Sequence, residues 1–294
     1  MALRNPAGIG AMSVKAGSLM IIGGGEDRTD DKNVLERFLK QCGGKDSKIC
    51  VLTAASTVPE KIWAQYDEAF ANLGARNHTH LLIEDRAQAD DPDNCEAVLA
   101  ADGIFITGGA QTRLLETTGD SQLHKALHVA LRRGACIAGT SAGASAMAAR
   151  MLASGTTELQ AAKGAIALGQ GYGFVRHFVI DQHFSERHRL TRLLSAVADN
   201  PDLVGIGIDE DTAFLIAQDG SVEVLGNGAV TIIDARQAVT NVADIDTGQC
   251  LEMADVRLHL LPSGTLYGAP GGATTPLVPT AALAEILRRL VKIS

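Results

Sequence analysis

The sequence predicts an α/β protein with a mostly parallel sheet flanked by helices, and three observations lead to that fold class. Short apolar runs alternate with stretches of helical periodicity along the first half of the chain. Glycine is abundant, with 31 residues against 8 prolines, and glycine pairs or triplets follow several of the runs. The 294 residues are 46% hydrophobic and 20% charged, which is enough apolar material for a large folded domain. Strands that alternate with helices favour parallel pairing with both faces of the sheet covered.

Five apolar runs in the first half read as buried strands, each followed by small or polar residues. The predicted strands are Ser18–Ile22, Lys48–Thr53, His80–Ile83, Gly103–Thr107 and Ala135–Ala138. The segments between them have apolar residues at helical spacing, proline near a first turn or glycine after a last one. These predicted helices are Asp31–Gln41, Pro59–Leu73, Pro92–Ala100 and Ser121–Arg133. Ligands of such sheets bind at the carboxyl ends of the strands, so we expect the site there.

The second half of the chain changes from helices to short strands with turn signals. A strand at Phe178–Ile180 precedes a basic helix from Ser185 to about Ala198, and the apolar run Val204–Ile208 follows. Asp219-Gly220 and Asn227-Gly228 turns then separate further strands, as in hairpins. The strands joined by these turns are Ala213–Ala217, Ser221–Leu225 and Ala229–Ile233. Two more predicted strands, Val256–Leu261 and Thr265–Tyr267, flank Pro262-Ser263-Gly264, and a last helix spans about Thr280 to Val291. We expect a loose leader at residues 1–16 and a single α/β domain at 17–294.

Charge and composition exclude several classes of protein. The net charge of −8 argues against a general nucleic-acid binder. No apolar run reaches the about 18 residues that suggest a membrane span, and no secretory signal is recognised, so we expect a cytoplasmic protein. The 5 cysteines are widely spaced without a CxxC pair, which predicts reduced thiols rather than disulfides or a zinc site. His124 and His128 share a helix face, but no HExxH motif surrounds them, so no metal is predicted there.

The most informative stretch is a nucleophile motif between a predicted strand and a predicted helix. Gly139-Thr140-Ser141-Ala142-Gly143 fits G-x-S-x-G, and a sharp strand-to-helix turn exposes the serine hydroxyl. The backbone N–H of Ala142 then faces a developing oxyanion. Gly108 and Gly109 end the adjacent strand and are candidates for a second oxyanion donor. The sequence therefore predicts Ser141 as a nucleophile.

A serine nucleophile needs a base, and the base needs an acid that holds its tautomer. His183 is the candidate base among eight histidines, because it ends a predicted strand inside the polar cluster Asp181-Gln182-His183. Glu210 and Glu158 are candidate acids. Asp209 and Asp211 are further options that spacing alone does not eliminate.

Five motifs in a fixed order resemble those of cyanophycinases, in the serine-peptidase family that also contains peptidase E. The motifs are Ile22-Gly23-Gly24-Gly25-Glu26-Asp27, Thr107-Gly108-Gly109-Ala110-Gln111, Gly139-Thr140-Ser141-Ala142-Gly143-Ala144, Asp181-Gln182-His183-Phe184-Ser185-Glu186-Arg187-His188-Arg189 and Gly207-Ile208-Asp209-Glu210. The resemblance covers the chain from about residue 17. It implies a fold similar to class I glutamine amidotransferases with added C-terminal β-hairpins, a homodimer, Ser141 as nucleophile and His183 as general base. Glu210 is the better match for the acid, and Glu158 is its rival.

The resemblance also implies a substrate, the polymer cyanophycin (multi-L-arginyl-poly-L-aspartate). Its poly-aspartate backbone bears arginine on the side-chain carboxylates, and arginine side chains of a protein grip carboxylates through paired hydrogen bonds. The implied substrate-binding residues are Gln111, Asp181, Gln182, Arg187, Arg189 and Arg192. The expected product is the β-Asp-Arg dipeptide, with no metal or organic cofactor.

Two other functions remain open at this stage. One is a peptidase E-like aspartyl dipeptidase, and the other is a non-catalytic relative that binds the polymer. A glutamine amidotransferase is disfavoured, because its elbow would have cysteine and Cys136 lies five residues before Ser141, inside the strand. Two features depart from what the family pattern explains. Ala110 stands where family members often have asparagine, and residues 155–177 match no recognised pattern.

Overall fold

The computed structural model describes residues 16–155, 159–268 and 280–291. Nearly all of the predicted leader therefore lies outside the described residues. The strands are β1 (Leu19–Ile22), β2 (Lys48–Leu52), β3 (Asn77–Leu81), β4 (Gly103–Ile106), β5 (Cys136–Thr140), β6 (Arg150–Gly155), β7 (Ile166–Gln170), β8 (Phe178–Gln182), β9 (Val204–Ile208), β10 (Thr212–Ile216), β11 (Val222–Gly226), β12 (Ala229–Asp234), β13 (Val239–Thr240), β14 (Met253–Ala254), β15 (Arg257–Pro262) and β16 (Leu266–Tyr267). The helices are α1 (Asn33–Gln41), α2 (Pro59–Asn72), α3 (Arg86–Ala89), α4 (Pro92–Ala100), α5 (Gln111–Thr118), α6 (Gln122–Arg133), α7 (Ala142–Ala146), α8 (Leu190–Asp199) and α9 (Ala281–Leu290).

The five predicted strands of the first half form the parallel part of the main sheet. This eight-stranded sheet has the order β16-β11-β10-β1-β5-β4-β2-β3, and the neighbours from β1 to β3 pair in parallel. Val34, Leu35 and Phe38 of α1 pack on one face, and α4 and α6 cover the other. The predicted α/β fold class is therefore confirmed, and the carboxyl ends of β1, β4 and β5 meet at one edge.

The second half adds three antiparallel strands to the main sheet and forms a second sheet. β10 and β11 make the predicted hairpin. The predicted pairing across the Asn227-Gly228 turn is wrong, because β12 pairs with β9 and β15 in a four-stranded sheet of order β15-β12-β9-β8. Thr212 and Asp209 accept hydrogen bonds from the amides of Gly228 and Ala229, which directs the chain away from β11.

Some predicted boundaries and elements differ from the structure. The third strand is Asn77–Leu81 rather than His80–Ile83, because it is an edge strand whose polar residues alternate with half-buried ones. The basic segment at 185–189 is a turn, and helix α8 begins only at Leu190. The unrecognised segment contains the end of β6 and all of β7, and α5 was not predicted as a helix. Within the described ranges, no helix is long and apolar enough to cross a membrane.

Candidate active site

Ser141 occupies a strained turn between β5 and α7. Its backbone has φ 51° and ψ −110°, a conformation that residues with a side chain rarely adopt. A Cβ at Gly139 would lie 2.5 Å from the carbonyl oxygen of Gly143, and one at Gly143 would lie 2.3 Å from that of Ile106. The small residues of the motif thus allow the sharp turn, and the surrounding packing holds it. The turn presents the serine hydroxyl at the carboxyl end of β5.

The strained backbone at Ser141 predicts that glycine stabilises the folded protein more than alanine does at this position. Replacing Ser141 with glycine removes strain worth about 1–3 kcal/mol, part of which is offset by the greater freedom of glycine in the unfolded chain. We expect the free energy of unfolding of Ser141→Gly to exceed that of Ser141→Ala by about 1 kcal/mol. Denaturant unfolding of the two variants side by side measures this difference. Equal stability of the two would mean that the turn is not strained.

The hydroxyl of Ser141 lies against His183, which follows β8. Oγ of Ser141 is 2.9 Å from Nε2 of His183, and Nδ1 of His183 is 2.5 Å from Oε1 of Glu210. A carboxylate only accepts hydrogen bonds, so Nδ1 bears the hydrogen and Nε2 is left to accept from the serine. The three side chains therefore form one continuous hydrogen-bonded chain, in the order that general-base activation of a serine requires.

The alternative acids are engaged elsewhere or lie outside the described residues. Asp209 accepts hydrogen bonds from the amides of Ser185 and Ala229. Asp211 accepts from the amide of Asp27 and from the side chain of Asn227. Glu158 lies outside the described residues. Among the carboxylates that the structure describes, Glu210 is the one that contacts the imidazole of His183.

The glycine run after β1 makes room for the imidazole, a reason for these glycines that the motif alone did not reveal. A Cβ at Gly24 would lie 2.3 Å from Cε1 of His183, and one at Gly25 would lie 3.1 Å from Oε2 of Glu210. The backbone also anchors this region, because the amide of His183 donates to the carbonyl of Gly23 over 2.8 Å. His183 itself has a left-handed φ of 48°, which turns its side chain back toward Ser141.

Burial keeps the imidazole of His183 neutral near neutral pH. Burial lowers the pKa of His183 from its ordinary value, and the positive charge of Arg187 lowers it further, while the hydrogen bond and charge of Glu210 raise it. The imidazole side chain is 11% exposed and that of Glu210 is 40% exposed. A neutral imidazole is the form that accepts a proton from serine.

The three predicted oxyanion residues lie next to Ser141. Ala142 is the first residue of α7, a position whose N–H has no partner within the helix. A Cβ at Gly108 would lie 3.2 Å from Cβ of Ser141, so this backbone runs close to the serine side chain. Within the described residues, neither the Gly108 nor the Gly109 amide donates a hydrogen bond to another residue. These amides are therefore free to face a bound carbonyl oxygen.

The predicted substrate-binding residues divide into a buried group and an exposed one. The carboxylate of Asp181 is fully buried, with Nη1 of Arg189 and Nε of Arg192 each 3.1 Å from one of its oxygens. Arg189 also donates to the backbone and side-chain oxygens of Gln182. Burial raises the pKa of Asp181, and the two guanidinium groups oppose that shift. Arg187 is instead exposed at the surface beside His183.

Gln111 is half-buried and is the first residue of α5. Its Nε2 donates to the carbonyl of Leu152 over 2.6 Å. That contact connects α5 with β6. Among the described residues, none donates a hydrogen bond to the amide oxygen of Gln111.

The buried cluster predicts a large loss of stability when its carboxylate is removed. Asp181→Ala leaves the two buried guanidinium groups of Arg189 and Arg192 without a counter-charge, which costs about 3–5 kcal/mol of unfolding free energy. The control is Asp46→Ala, since the ion pair of Asp46 with Arg76 is largely exposed and is worth about 1 kcal/mol or less. Chemical denaturation of both variants provides the comparison. A loss at Asp181 as small as at Asp46 would contradict the buried ion pairing.

Glu26 is a buried carboxylate beneath the nucleophile turn that the sequence analysis did not single out. It accepts hydrogen bonds from the hydroxyls of Thr140 and Tyr66, and the guanidinium of Arg28 lies 5.3 Å from the Tyr66 ring centroid. Because Thr140 directly precedes Ser141, Glu26 fixes the base of the elbow. In the sequence, the feature that could have pointed to Glu26 is its position directly after Gly23-Gly24-Gly25.

The described residues contain no group of three or more histidine, cysteine or acidic side chains that could hold a metal ion. His124 and His128 do share a helix face, but both direct Nε2 at the carbonyl of Tyr172, 2.9 and 2.7 Å away. These two nitrogens are therefore already occupied by a protein acceptor.

The sequence is similar to a known peptidase family and to several of its members. The model of peptidase family S51 matches residues 19–225. Cyanophycinases from Synechococcus elongatus and Geminocystis herdmanii are each 36% identical, over 85% of this chain and over 79% and 93% of their own lengths. A cyanophycinase from Trichormus variabilis is 34% identical over 85% of both chains. These matches confirm the resemblance that the motifs indicated.

A solved structure supports the fold independently. The crystal structure of a peptidase from an acI-B1 Actinobacterium superposes with a TM-score of 0.62 at 21% identity, over 86% of this chain and 97% of that one. At this level of identity the likeness concerns the fold.

Proposed function

The chain belongs to peptidase family S51, and we propose that this peptidase is a serine exopeptidase that hydrolyses the aspartate backbone of cyanophycin and releases β-Asp-Arg dipeptides. The observation that supports the proposal best is the hydrogen-bonded chain from Ser141 through His183 to Glu210. The choice of substrate is supported by the three cyanophycinases named above, which match over 85% of this chain.

In the proposed mechanism, Oγ of Ser141 attacks the scissile carbonyl carbon while Nε2 of His183 takes the hydroxyl proton. Glu210 holds the Nδ1–H and stabilises the imidazolium. The negative oxygen of the tetrahedral intermediate accepts hydrogen bonds from the amides of Ala142 and of the Gly108–Gly109 turn. As the C–N bond breaks, His183 returns the proton to the leaving amine, and an acyl-enzyme on Ser141 remains.

Water then completes the reaction. His183 removes a proton from the water as it attacks the ester carbonyl of the acyl-enzyme, and the same oxyanion donors stabilise the second tetrahedral intermediate. The C–O bond to Ser141 breaks, and His183 returns the proton to its oxygen. The products are a free carboxylate, a free amine and the original enzyme.

We propose that the exposed members of the predicted substrate-binding residues contact the substrate and that the buried members support them. Arg187, exposed beside His183, binds a substrate carboxylate directly, and the side-chain oxygen of Gln111 accepts from the substrate. Arg189 and Arg192 hold Asp181 and Gln182 in place beneath this surface. In this proposal, the two buried arginines and their partners support the surface from which Arg187 and Gln111 contact the substrate.

The charge of Arg187 predicts a change in pH dependence. Because Arg187 lowers the pKa of His183, Arg187→Gln is expected to raise that pKa. Activity needs the neutral imidazole, so the acid limb of the kcat/KM profile moves to higher pH, whatever happens to KM. Lys61→Gln, an exposed cation on α2, is the control and leaves the limb in place. A limb that stays or moves to lower pH in Arg187→Gln would contradict the proposed role of His183.

The proposed function is tested on the polymer itself. Purified protein is mixed with insoluble cyanophycin, the clearing of turbidity is followed, and the soluble products are identified by mass spectrometry. The proposal predicts that the wild type clears the suspension and releases β-Asp-Arg. With Ser141→Ala, we expect no clearing and no dipeptide. A folded wild-type protein that leaves the polymer intact and cleaves Asp-X dipeptides would favour a peptidase E-like function instead. Binding without cleavage would favour a polymer-binding relative.

The homodimer and the cytoplasmic location stay predictions. Light scattering coupled to size exclusion measures the first directly.

A further inference from the structure

A second concave surface lies beside α6. This cationic cleft has a volume of about 950 Å³, and none of Ser141, His183 and Glu210 lines it. Its charged lining residues are Lys125, Arg132, Arg150, Arg176, Asp120 and Asp202. The four cations come from three separate parts of the chain, namely α6, the start of β6 and the segment before β8. A chain with net charge −8 thus concentrates positive charge in one concavity.

The four cations of the cleft are available to a ligand. All four are exposed, and none forms an ion pair with another described residue. Elsewhere in the described chain, Arg37, Arg76, Arg189, Arg192 and Arg236 each have an acidic partner. Four exposed cations against two aspartates leave the cleft with a net positive charge, and cations that form no ion pair repel each other unless an anion binds between them.

Two histidines of α6 line the cleft and are held by hydrogen bonds to the backbone. Nε2 of His124 and Nε2 of His128 both lie within hydrogen-bond distance of the carbonyl of Tyr172, and Nδ1 of His124 accepts from the amide of Asp120. Burial lowers the pKa of His128, and the nearby His124, Arg132 and Arg176 lower it further. The histidines therefore support the wall of the cleft, and its charge comes from the lysine and the arginines.

We propose that the cationic cleft is a second binding site for the polymer, which holds its carboxylates while the chain end occupies the active site. This inference rests on the proposed function. In cyanophycin, arginine is joined through its α-amine, so each repeat keeps a free α-carboxylate and a free guanidinium group. The four cations fit the carboxylates through charge-assisted hydrogen bonds, and Asp120 and Asp202 offer partners for guanidinium groups.

The cleft lies close enough to the active site for one polymer to occupy both. Asp120 lies two residues beyond the end of α5, and Gln111 is the first residue of that helix. A helix of 8 residues is about 12 Å long, a span that a few extended residues cover. On the other side, Ala149 lines the cleft and follows Ser141 by only eight residues, through α7.

A single exposed ion pair is weak, so the cleft would bind the polymer by forming several such pairs at once. Each such pair is worth about 0.2–1 kcal/mol and is screened by salt. A polymer with a carboxylate in every repeat contacts several cations at once and rebinds after each one dissociates. The cleft is therefore expected to affect polymer binding strongly and a short soluble substrate hardly at all.

Binding is tested with the full chain as Ser141→Ala, which holds polymer without cutting it. The cleft variant adds Arg132→Gln and Arg176→Gln, and the matched control adds Lys61→Gln and Arg257→Gln, which remove the same charge from exposed positions elsewhere. The probes are a cyanophycin suspension, measured by sedimentation, and sodium poly-L-aspartate in solution. The proposal predicts that the cleft variant binds both about fivefold to tenfold more weakly at low salt, and that the control binds both as tightly as the parent.

An activity measurement separates this inference from the proposed function. With Ser141 intact, the cleft variant is expected to cleave a short soluble β-Asp-Arg oligomer at the wild-type rate and to clear suspended polymer about fivefold more slowly. If the wild type cleaves no polymer, the proposed function fails, and the poly-L-aspartate arm still decides whether the cleft binds carboxylates. A cleft variant that binds both polymers as tightly as the control would overturn the inference.

Discussion

Replacing Ser141 with alanine is expected to lower kcat about 10⁴-fold to 10⁶-fold, since the replacement removes the hydroxyl that we propose as the nucleophile. The hydroxyl is 2.9 Å from Nε2 of His183, and alanine keeps the backbone of the turn while deleting that contact. The remaining activity would come from the oxyanion donors and from substrate positioning. Single-turnover and steady-state kinetics on a soluble β-Asp-Arg oligomer provide the comparison.

The matched control for this change is Ser145→Ala in the same short helix. Ser145 is buried, and its hydroxyl donates to the carbonyl of Ile180 rather than to the imidazole. We expect Ser145→Ala to retain most of the activity. Equal losses in the two variants would indicate damage to the helix rather than removal of a nucleophile, and a fully active Ser141→Ala would refute the proposed mechanism.

Replacing Glu210 with glutamine is expected to lower kcat about 10⁴-fold with little change in fold. The glutamine amide can donate to Nδ1 of His183, which would move the hydrogen to Nε2 and remove the acceptor that Ser141 needs. Glu210 also raises the pKa of His183 and stabilises the imidazolium, and both effects disappear in the variant. The measurement is kcat on the same oligomer, at a pH where wild-type activity is constant.

Two further variants decide between the candidate acids. Glu158→Gln tests the rival acid, and Glu186→Gln changes an exposed carboxylate close to His183 in the sequence. Because Glu210 contacts Nδ1 of His183, we expect both variants to retain most of the activity. A large loss in Glu158→Gln with an active Glu210→Gln would transfer the acid's role to Glu158.

The parallel half of the fold was predictable because its signals are local. Each buried strand is a short apolar run, and proline or glycine marks a helix end, as at Pro59 and Gly134. The sharp turn at Ser141 was also predictable, since close packing at Gly139 and Gly143 demands glycine. In both cases the physical constraint acts on residues that are neighbours in the sequence.

The second sheet and the surroundings of His183 were not predictable from local patterns. β12 leaves its expected partner because Asp209 and Thr212, some 16–20 residues earlier, hold the amides at the turn. The turn at 185–189 resembles a basic helix in composition, but a left-handed φ at His183 and a hydrogen bond from the Ser185 amide to Asp209 set its path. Long-range contacts of this kind leave no periodicity in the sequence.

The distribution of charge over the folded protein could not be predicted from the sequence either. A helix rich in arginine normally has a solvated face, yet Arg189 and Arg192 are buried on Asp181. The cationic cleft joins residues from distant segments, and its net positive charge is masked by the overall charge of −8. Only the folded arrangement brings these groups together.

We propose that Ser141 is a nucleophile that His183 activates. Treating the folded protein with a fluorophosphonate and mapping the modified residue by peptide mass spectrometry tests this proposal. We expect a single label on Ser141, loss of polymer clearing as the label forms, and strongly slowed labelling in Glu210→Gln. An active protein that stays unlabelled at Ser141, or that is inactivated by a label elsewhere, would contradict it.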